Sequence, residues 1–550
     1  MPNLTPGQVR FEGAVGREID PASISVIMNS QETNTVGGIE GGSGASFDAT
    51  GIVDSAARRK QQWAQVVVLV AMFSVPAMVC VHLAIVGDPD VWSHMRTGLW
   101  ILRQRAVPQT DPFSMYGAGK PWSEYSWFFD ILIFKLNAWF GLKGLVGYTV
   151  TMLALVTMAL HRLARRLQPD FIIAVLLTFG AIFCLVNLWT PRPWWFTILF
   201  FVLEIDILMH ARKTGNTAGL FLLPVIFALW ANVHIQFVIG LLVLALALGE
   251  SVLAHRWKGI EARIDPLRLG LVALACVVGA MANPYGWTIY KVAYQVGSQP
   301  GIMNKVSEFM AMPFRGLQDY GVLALALAAT AVLARARRFQ LFETLLLTLA
   351  IFLSFRSERD VWIVVTVAVA IVSAGIQSTP ESRFELTAKF APVVMAATAL
   401  AVWISFPLQG INNVDLAAQA AAKLPVRAVE FVKQKGLKGP LFNDYGWGGY
   451  LIWNPAMPVS IDGRTNVHGD ERIDRSVQTW GGARDWATDT ELVSANLVIG
   501  PVNMPLVQLL RTDPDFELVY EDKIAVVFVA RKGNSPQASG RGAAAQPAVR

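Results

Sequence analysis

Charged residues are scarce in this chain of 550 residues. Asp, Glu, Lys and Arg make up 16% of it, whereas soluble proteins carry about 25%. Hydrophobic residues make up 54% and collect in long apolar runs, with Lys and Arg in short clusters between them. This composition excludes an ordinary soluble protein and predicts a polytopic α-helical membrane protein with the lipid bilayer as a partner. The net charge of +6 reflects these clusters and indicates no nucleic-acid partner.

Cysteine is also rare. Cys80, Cys184 and Cys276 each lie inside an apolar run, which excludes a disulfide scaffold and a Cys-based zinc site. His94 and His234 form no zinc-binding spacing with another His or Cys. The sequence therefore favours neither a redox enzyme nor a zinc hydrolase.

The apolar runs predict about eleven transmembrane helices, each of which needs about 20 residues to cross a bilayer. When the N-terminus is placed in the cytoplasm, six basic clusters all fall on the cytoplasmic side, as the positive-inside rule requires. We therefore predict a multi-pass protein of the inner (plasma) membrane, with everything after Phe406 outside the cytoplasm. The predicted spans are residues 63–86, 143–164, 171–190, 194–211, 218–233, 235–254, 267–283, 318–335, 341–356, 360–376 and 389–407.

Four regions follow from this pattern. Residues 1–60 lack periodicity and are Gly-rich in part, which predicts a disordered cytoplasmic tail. Residues 61–407 form the transmembrane domain, with a long first outer loop at 87–142. Residues 408–532 regain a soluble composition and predict an extracytoplasmic α/β domain, and 533–550 predict a second disordered tail.

The α/β domain has local signals for its helices and strands. Pro425 and Gly436 bracket a predicted helix, with Pro at its start and Gly past its end. Short apolar runs predict buried strands. These strands are placed at 440–443, 459–461, 496–499 and 524–529.

Three motifs stand out in the predicted outer regions. The first outer loop contains Asp90-x-Trp92-x-x-x-Arg96, and the loop at about 284–317 contains Lys305-Val306-Ser307-Glu308. The C-terminal domain contains Asn443-Asp444-Tyr445-Gly446-Trp447. In this order they resemble the first acidic motif, the Ser-Val-Ser-Glu motif and the Trp-Trp-Asp-Tyr-Gly motif of oligosaccharyltransferase catalytic subunits and other GT-C membrane glycosyltransferases.

The resemblance implies a GT-C-like fold and assigns roles to the matching residues. Asp90 and Glu308 become the expected catalytic residues and the expected ligands of a divalent cation, Mg or Mn. By the same resemblance, Asp444, Tyr445 and Trp447 would bind the acceptor.

The sequence departs from the family pattern in two places. Phe442 and Asn443 stand where the family has two tryptophans, and the second outer loop has no acidic pair but reads Trp189-Thr190-Pro191-Arg192-Pro193-Trp194. The resemblance therefore extends to the superfamily and not to a particular acceptor.

Transfer of a sugar from a polyprenyl phosphate leaves an anion, which Arg, Lys or a divalent cation must stabilise. Arg192 lies between two prolines with no acidic residue near it in the sequence, so we predict that it binds the donor phosphate. His234, Arg356 and Arg359 occupy neighbouring outer turns and are the other predicted phosphate ligands.

Each of these residues also has a structural interpretation. Asp90 suits the cap of the following helix, and Glu308 suits a solvated loop. The segment 356–360 suits a turn held by internal ion pairs, and His234 suits a hydrogen-bonded packing residue. Asp444 with its neighbouring glycines suits ordinary turn chemistry.

The sequence therefore predicts a glycosyltransferase of the GT-C type. It would transfer a sugar or oligosaccharide from a polyprenyl-phosphate-linked donor to an extracytoplasmic acceptor. The alternative is a non-catalytic membrane protein whose outer domain binds glycan or cell-wall polymer during envelope assembly or export. A transporter is disfavoured because paired inverted repeats are not visible in the sequence.

Overall fold

The computed structural model describes residues 49–81, 85–256, 263–298, 309–377, 386, 388–454 and 457–531. Glu308 and its motif, the Gly-rich stretch near the N-terminus and the tail at 533–550 lie outside the described residues. The chain up to Ala57 is a separate unit, of which only the first turns of a helix are described. The remainder, from Arg58 onward, is the second unit.

The described chain is mostly helical. Its first helix begins at Ala49, inside the stretch that we expected to be disordered. The longer helices before the sheet are α1 Ala49–Cys80, α2 Pro89–Gln104, α3 Trp127–Phe140, α4 Leu142–Leu167, α5 Phe171–Cys184, α6 Trp194–Thr214, α7 Leu223–Trp230, α8 Phe237–Arg256, α9 Pro266–Ala280, α10 Thr288–Gly297, α11 Leu317–Ala334, α12 Leu341–Arg356, α13 Val361–Gly375, α14 Ala391–Leu408, α15 Asn413–Ala421 and α16 Val426–Lys435.

Within the described residues, six helices are long and apolar enough to cross a membrane, fewer than the eleven predicted. They are Ala57–Cys80 of α1 together with α4, α6, α8, α11 and α14. The other predicted runs also fold as helices, but these are shorter. The run at 171–190 is helical only to Cys184, and the run at 218–233 is interrupted by a 3-10 turn, Ala218–Leu222. Helix α13 is buried along nearly its whole length, which is typical of a helix at the centre of a bundle.

The basic residues at the ends of α4 and α6 lie at one end of the bundle. Asp206 of α6 binds two arginines at the end of α4. Arg212, at the end of α6, binds Glu250 of α8 and Glu343 of α12. Because α6 and α8 begin and α12 ends at the opposite end, the loops there are separated from the basic clusters by the length of these helices.

The C-terminal part contains a four-stranded sheet in the order β1-β2-β4-β3. Strands β1 and β2 are parallel, and the other two pairs are antiparallel. The predictions for β1, β2, β4 and the helix before Gly436 are confirmed, whereas β3 was not predicted. The strands are β1 Leu441–Asn443, β2 Leu497–Pro501, β3 Phe516–Glu521 and β4 Ala525–Ala530.

The prediction of a strand at 459–461 is wrong, because a side chain takes the place of a neighbouring strand there. The Asn443 Oδ1 accepts the Ser460 backbone N–H at 2.9 Å, and its Nδ2 donates to the Ile461 carbonyl at 2.8 Å. The Asn443 N–H donates to Ser460 Oγ at 3.0 Å. The segment is therefore held beside β1 without joining the sheet.

The helix after β1, α17 (Gly448–Trp453), packs directly on α2. The Trp92 ring lies 5.1 Å from Tyr450 and 6.2 Å from Trp453. A Cβ atom on Gly449 would lie only 2.5 Å from the Pro89 carbonyl oxygen, so the close approach requires glycine. The first loop and the C-terminal part are therefore packed together at the end of the bundle opposite the basic clusters.

This arrangement generates a topology prediction. A membrane-impermeant maleimide applied to intact cells should label Lys523→Cys, an exposed position between β3 and β4, and should label Ser30→Cys only after permeabilisation. The native cysteines are buried and serve as the unreactive background. Labelling of Ser30→Cys in intact cells would show that the N-terminus lies outside the cytoplasm and would contradict the predicted orientation.

Candidate functional site

A cavity of about 750 Å³ lies between α2, the starts of α6 and α8, the end of α12 and two loops of the C-terminal part. Its lining includes most of the predicted site residues that the structure describes. Residues Asp90, Arg192, His234, Arg356, Arg359 and Tyr445 line it, whereas Asp444 and Trp447 are not among the lining residues.

Arg192 binds two carboxylates of the segment 87–142. Its Nε donates to Asp88 and its Nη1 donates to Asp90. Asp88 also caps α2 by accepting the Asp90 backbone N–H at 3.1 Å. No acidic residue lies near Arg192 in the sequence, because both partners lie about a hundred positions earlier in the chain.

The ion pair also bears on the predicted metal. The carboxylate of Asp90 already contacts a guanidinium, and Glu308 lies outside the described residues. Across the described part of the chain, no group of three or more His, Cys, Asp or Glu side chains could hold a metal ion. These residues do not fit a metal site as placed, and the divalent cation stays a prediction.

Arg359 is the most distinctive cation of the cavity. Its guanidinium carbon lies 5.2 Å from the Trp194 ring centroid and 5.0 Å from that of Phe309. Arg192 lies over the same Trp194 ring at 5.3 Å. Among the described residues Arg359 forms no ion pair with a carboxylate, and its Nε is buried without a hydrogen-bond partner. The neighbouring Asp360 instead accepts a hydrogen bond from a glutamine at 2.6 Å.

His234 holds Arg359 in place. Arg359 Nη2 lies 3.1 Å from His234 Nε2, and Thr197 Oγ1 lies 2.8 Å from His234 Nδ1. Because a guanidinium can only donate, Nε2 must be the acceptor and Nδ1 carries the proton. Burial and Arg359 both hold the pKa of His234 well below its usual value. With both ring nitrogens engaged, His234 positions an arginine and is not placed as the direct phosphate ligand that we predicted.

Two further titratable side chains face the cavity. His94 lies on α2, and its Nδ1 is 2.6 Å from Asp130 Oδ1. Glu124 accepts the Ser126 backbone N–H at 2.9 Å, and its burial, helped by Asp130, raises its pKa to about 8. Sequence reasoning did not select them as site residues, although His94 follows Asp90 by four positions and therefore shares its helix face.

A loop of the C-terminal part closes over Asp90. A Cβ atom on Gly463 would lie 2.3 Å from Asp90 Oδ1, so only glycine fits there. The next residue, Arg464, donates to Asp462 and to Asp111 of the first loop, each at 2.7 Å. The guanidinium of Arg464 lowers the pKa of Asp462 far below its usual range despite burial. This clamp joins the C-terminal part to the loop that carries Asp90.

The three predicted acceptor residues differ in whether they line the cavity. Asp444 Oδ1 accepts the Gly446 N–H at 2.9 Å, and burial raises the Asp444 pKa to about 6. Trp447 is buried and donates its Nε1 proton to the Lys423 carbonyl at 3.2 Å. These contacts fit the turn interpretation, and of the three residues only Tyr445 lines the cavity.

The fold and cavity define a helical membrane protein with an arginine-containing cavity beneath a small α/β layer. No protein-family profile matches the sequence, and no curated protein is significantly similar to it. The resemblance to GT-C enzymes therefore rests on the motifs and stays a prediction.

The Arg192 ion pairs should contribute strongly to stability. Arg192→Ala would remove a cation from two partly buried carboxylates, and breaking a fully buried pair costs about 3–5 kcal/mol, which sets the upper end of the expected loss. Arg511→Ala removes a half-exposed ion pair with Glu521 and should cost about 0–1 kcal/mol. Thermal unfolding in detergent compares the two variants, and equal losses would contradict the role given to Arg192.

Glu124 should make stability depend on pH. Its pKa is raised from 4.5 to about 8, so the folded state binds more protons than the unfolded state between these values, and stability falls as pH rises through them. Glu124→Gln should flatten this fall, measured as the unfolding temperature in detergent across the same range. The exposed Glu517→Gln is the control, and an unchanged profile in Glu124→Gln would refute the prediction.

Proposed function

We propose that this protein is a GT-C type glycosyltransferase. It transfers a sugar or oligosaccharide from a polyprenyl-phosphate-linked donor to an acceptor outside the cytoplasm. The proposal includes a cytoplasmic N-terminus and a total of about eleven spans, with the shorter apolar helices completing the set. The observation that carries it is Arg359, an arginine that faces the cavity without a carboxylate partner among the described residues.

Arg359 has the features of a phosphate ligand. Arg359 is half-buried with its Nε fully buried, and a cation held away from water normally has an anionic partner, because desolvation of an unpaired charge is costly. Trp194 and Phe309 contact the guanidinium through cation–π interactions, and His234 orients one of its nitrogens. The remaining N–H groups can bind two phosphate oxygens at once, which favours arginine over lysine.

One wall of the cavity suits the isoprenoid chain of such a donor. Val238 and Ile239 line it from the start of α8, and Ala293 and Val296 line it from α10. Helix α8 is one of the six candidate spans. A lipid that lies along α8 in the outer leaflet could therefore place its phosphate beside Arg359.

A second set of lining residues suits a sugar. Asp90, His94 and Glu124 supply polar groups there, and Tyr125 and Tyr445 supply aromatic rings. Polar groups at a few fixed positions with aromatic surface between them are typical of small-molecule sites, and 750 Å³ lies within their usual range of about 300–1,000 Å³. In this arrangement the acceptor approaches from the side of Tyr445.

Polyprenyl phosphate itself tests the proposal, because it is the part of the donor that does not depend on the sugar. It should raise the unfolding temperature of the purified protein, and Arg359→Ala should abolish the rise. In native membranes supplied with labelled polyprenyl-phosphate-linked sugars, Arg359→Lys should lower transfer about a hundredfold, the usual effect of losing one preorganised charge contact.

The matched control is Arg484→Lys, which changes an exposed arginine of the C-terminal part and should leave binding and transfer intact. Polyprenyl phosphate binding that survives in Arg359→Ala would contradict the role of Arg359 as the phosphate ligand, on which the proposal rests. Glycan binding without any transfer, undiminished in Asp90→Ala, would instead support the non-catalytic glycan-binding protein.

A further inference from the structure

Asp90 is a poor candidate for the base of the proposed transfer. Its carboxylate is ion-paired with Arg192, and Gly463 packs against it from the other side. The Asp90 carboxylate is therefore already engaged as the acceptor of a hydrogen bond from Arg192. One turn later on the same face of α2 lies His94, which also lines the cavity.

We infer that His94, oriented by Asp130, is the base that removes a hydroxyl proton from the acceptor. This inference rests on the proposed glycosyl transfer and assigns the acceptor to the class of hydroxyl compounds. Asp130 is fully buried and lies 2.6 Å from the His94 Nδ1. In the described part of the protein the His94 Nε2 has no hydrogen-bond partner, and it remains for a substrate.

The hydrogen bond to Asp130 sets the state of the imidazole. Burial raises the pKa of Asp130 well above its usual value, and the 2.6 Å contact with His94 Nδ1 lets the two side chains share one proton. With that proton on Nδ1, the lone pair of the neutral ring resides on Nε2. The His94 ring also packs edge-on against Phe129, with ring centroids 5.0 Å apart, which restrains its rotation. A histidine held by a buried carboxylate, with its second nitrogen directed to a reacting hydroxyl, is a recurrent arrangement for proton removal.

A glycine on α2 allows His94 and Asp130 to come within hydrogen-bonding distance. Gly98 follows His94 by one helical turn, and a Cβ atom on it would lie 2.1 Å from the Asp130 carbonyl oxygen. Any larger residue would separate α2 from α3 and lengthen the hydrogen bond between His94 and Asp130. The close packing of α2 against α3 is therefore what brings the two side chains together.

Glu124 shares the cavity but suits a different role. Its burial raises its pKa to about 8, which favours the protonated carboxyl, and a protonated carboxyl can donate a hydrogen bond to a substrate. Burial lowers the pKa of His94, and Arg192 lowers it further, whereas Asp90 and Asp88 raise it. A neutral imidazole at neutral pH is the form that a base requires.

The step balances without any co-reactant. The acceptor oxygen forms a bond to the anomeric carbon of the sugar while the bond from that carbon to the phosphate oxygen breaks. The bonding electrons leave with the phosphate, beside Arg359, and the hydroxyl proton moves to His94 Nε2. Asp130 stabilises the imidazolium until the proton passes to water.

Chemical rescue provides the test. In native membranes with labelled polyprenyl-phosphate-linked sugars, His94→Gly should lower transfer about 10²–10⁴-fold, the usual contribution of a general base, and added imidazole should restore part of the rate. The purified variant should still be stabilised by polyprenyl phosphate.

Asp130→Asn should lower kcat with little change in KM. His255→Gly, at the opposite end of α8, should leave transfer unchanged with or without imidazole.

The outcomes separate the two proposals. Wild-type transfer in His94→Gly, or a loss that imidazole does not reverse while polyprenyl phosphate binding persists, overturns the role of His94. If His94→Gly does not fold, His94→Gln replaces it, and a full kcat in that variant overturns the inference equally. Absence of both transfer and polyprenyl phosphate binding in the wild-type protein refutes the proposed function itself.

Discussion

The ion pairs of Arg192 with Asp88 and Asp90 are the contact on which the site depends. They join the segment 87–142 to the start of α6 and fix the first turn of α2. Because α2 also carries His94, this contact places the candidate base of the site. The cost of burying these charges is offset only while all three partners remain together.

The second feature of the site is its distribution of charge. Arg192 is balanced by carboxylates, and so is Arg464, whereas Arg359 is held by aromatic rings and by a neutral histidine. The first two arginines therefore serve to assemble the cavity, and the third is left to attract an anion. This division is the reason why we propose Arg359, and not Arg192 or Arg464, as the phosphate ligand.

Glycine plays a recurring part in closing the cavity. Gly98 lets α2 approach α3, Gly449 lets α17 approach the start of α2, and Gly463 lets a loop cover Asp90. In each case a side chain would meet backbone or carboxylate atoms well inside normal contact distance. The sequence shows the glycines but not the atoms that they face, so their importance becomes visible only in three dimensions.

The sequence by itself determined the membrane character, the positions of the apolar helices and three of the four strands, because hydrophobic periodicity and helix caps are local properties. It also indicated Asp90, Arg192 and Arg359, which the structure brings to one cavity. Only the tertiary structure decided that Arg192 has acidic partners, that His234 positions an arginine and that His94 meets Asp130. Each of these contacts joins residues at least 36 positions apart, and no local pattern encodes such a pairing.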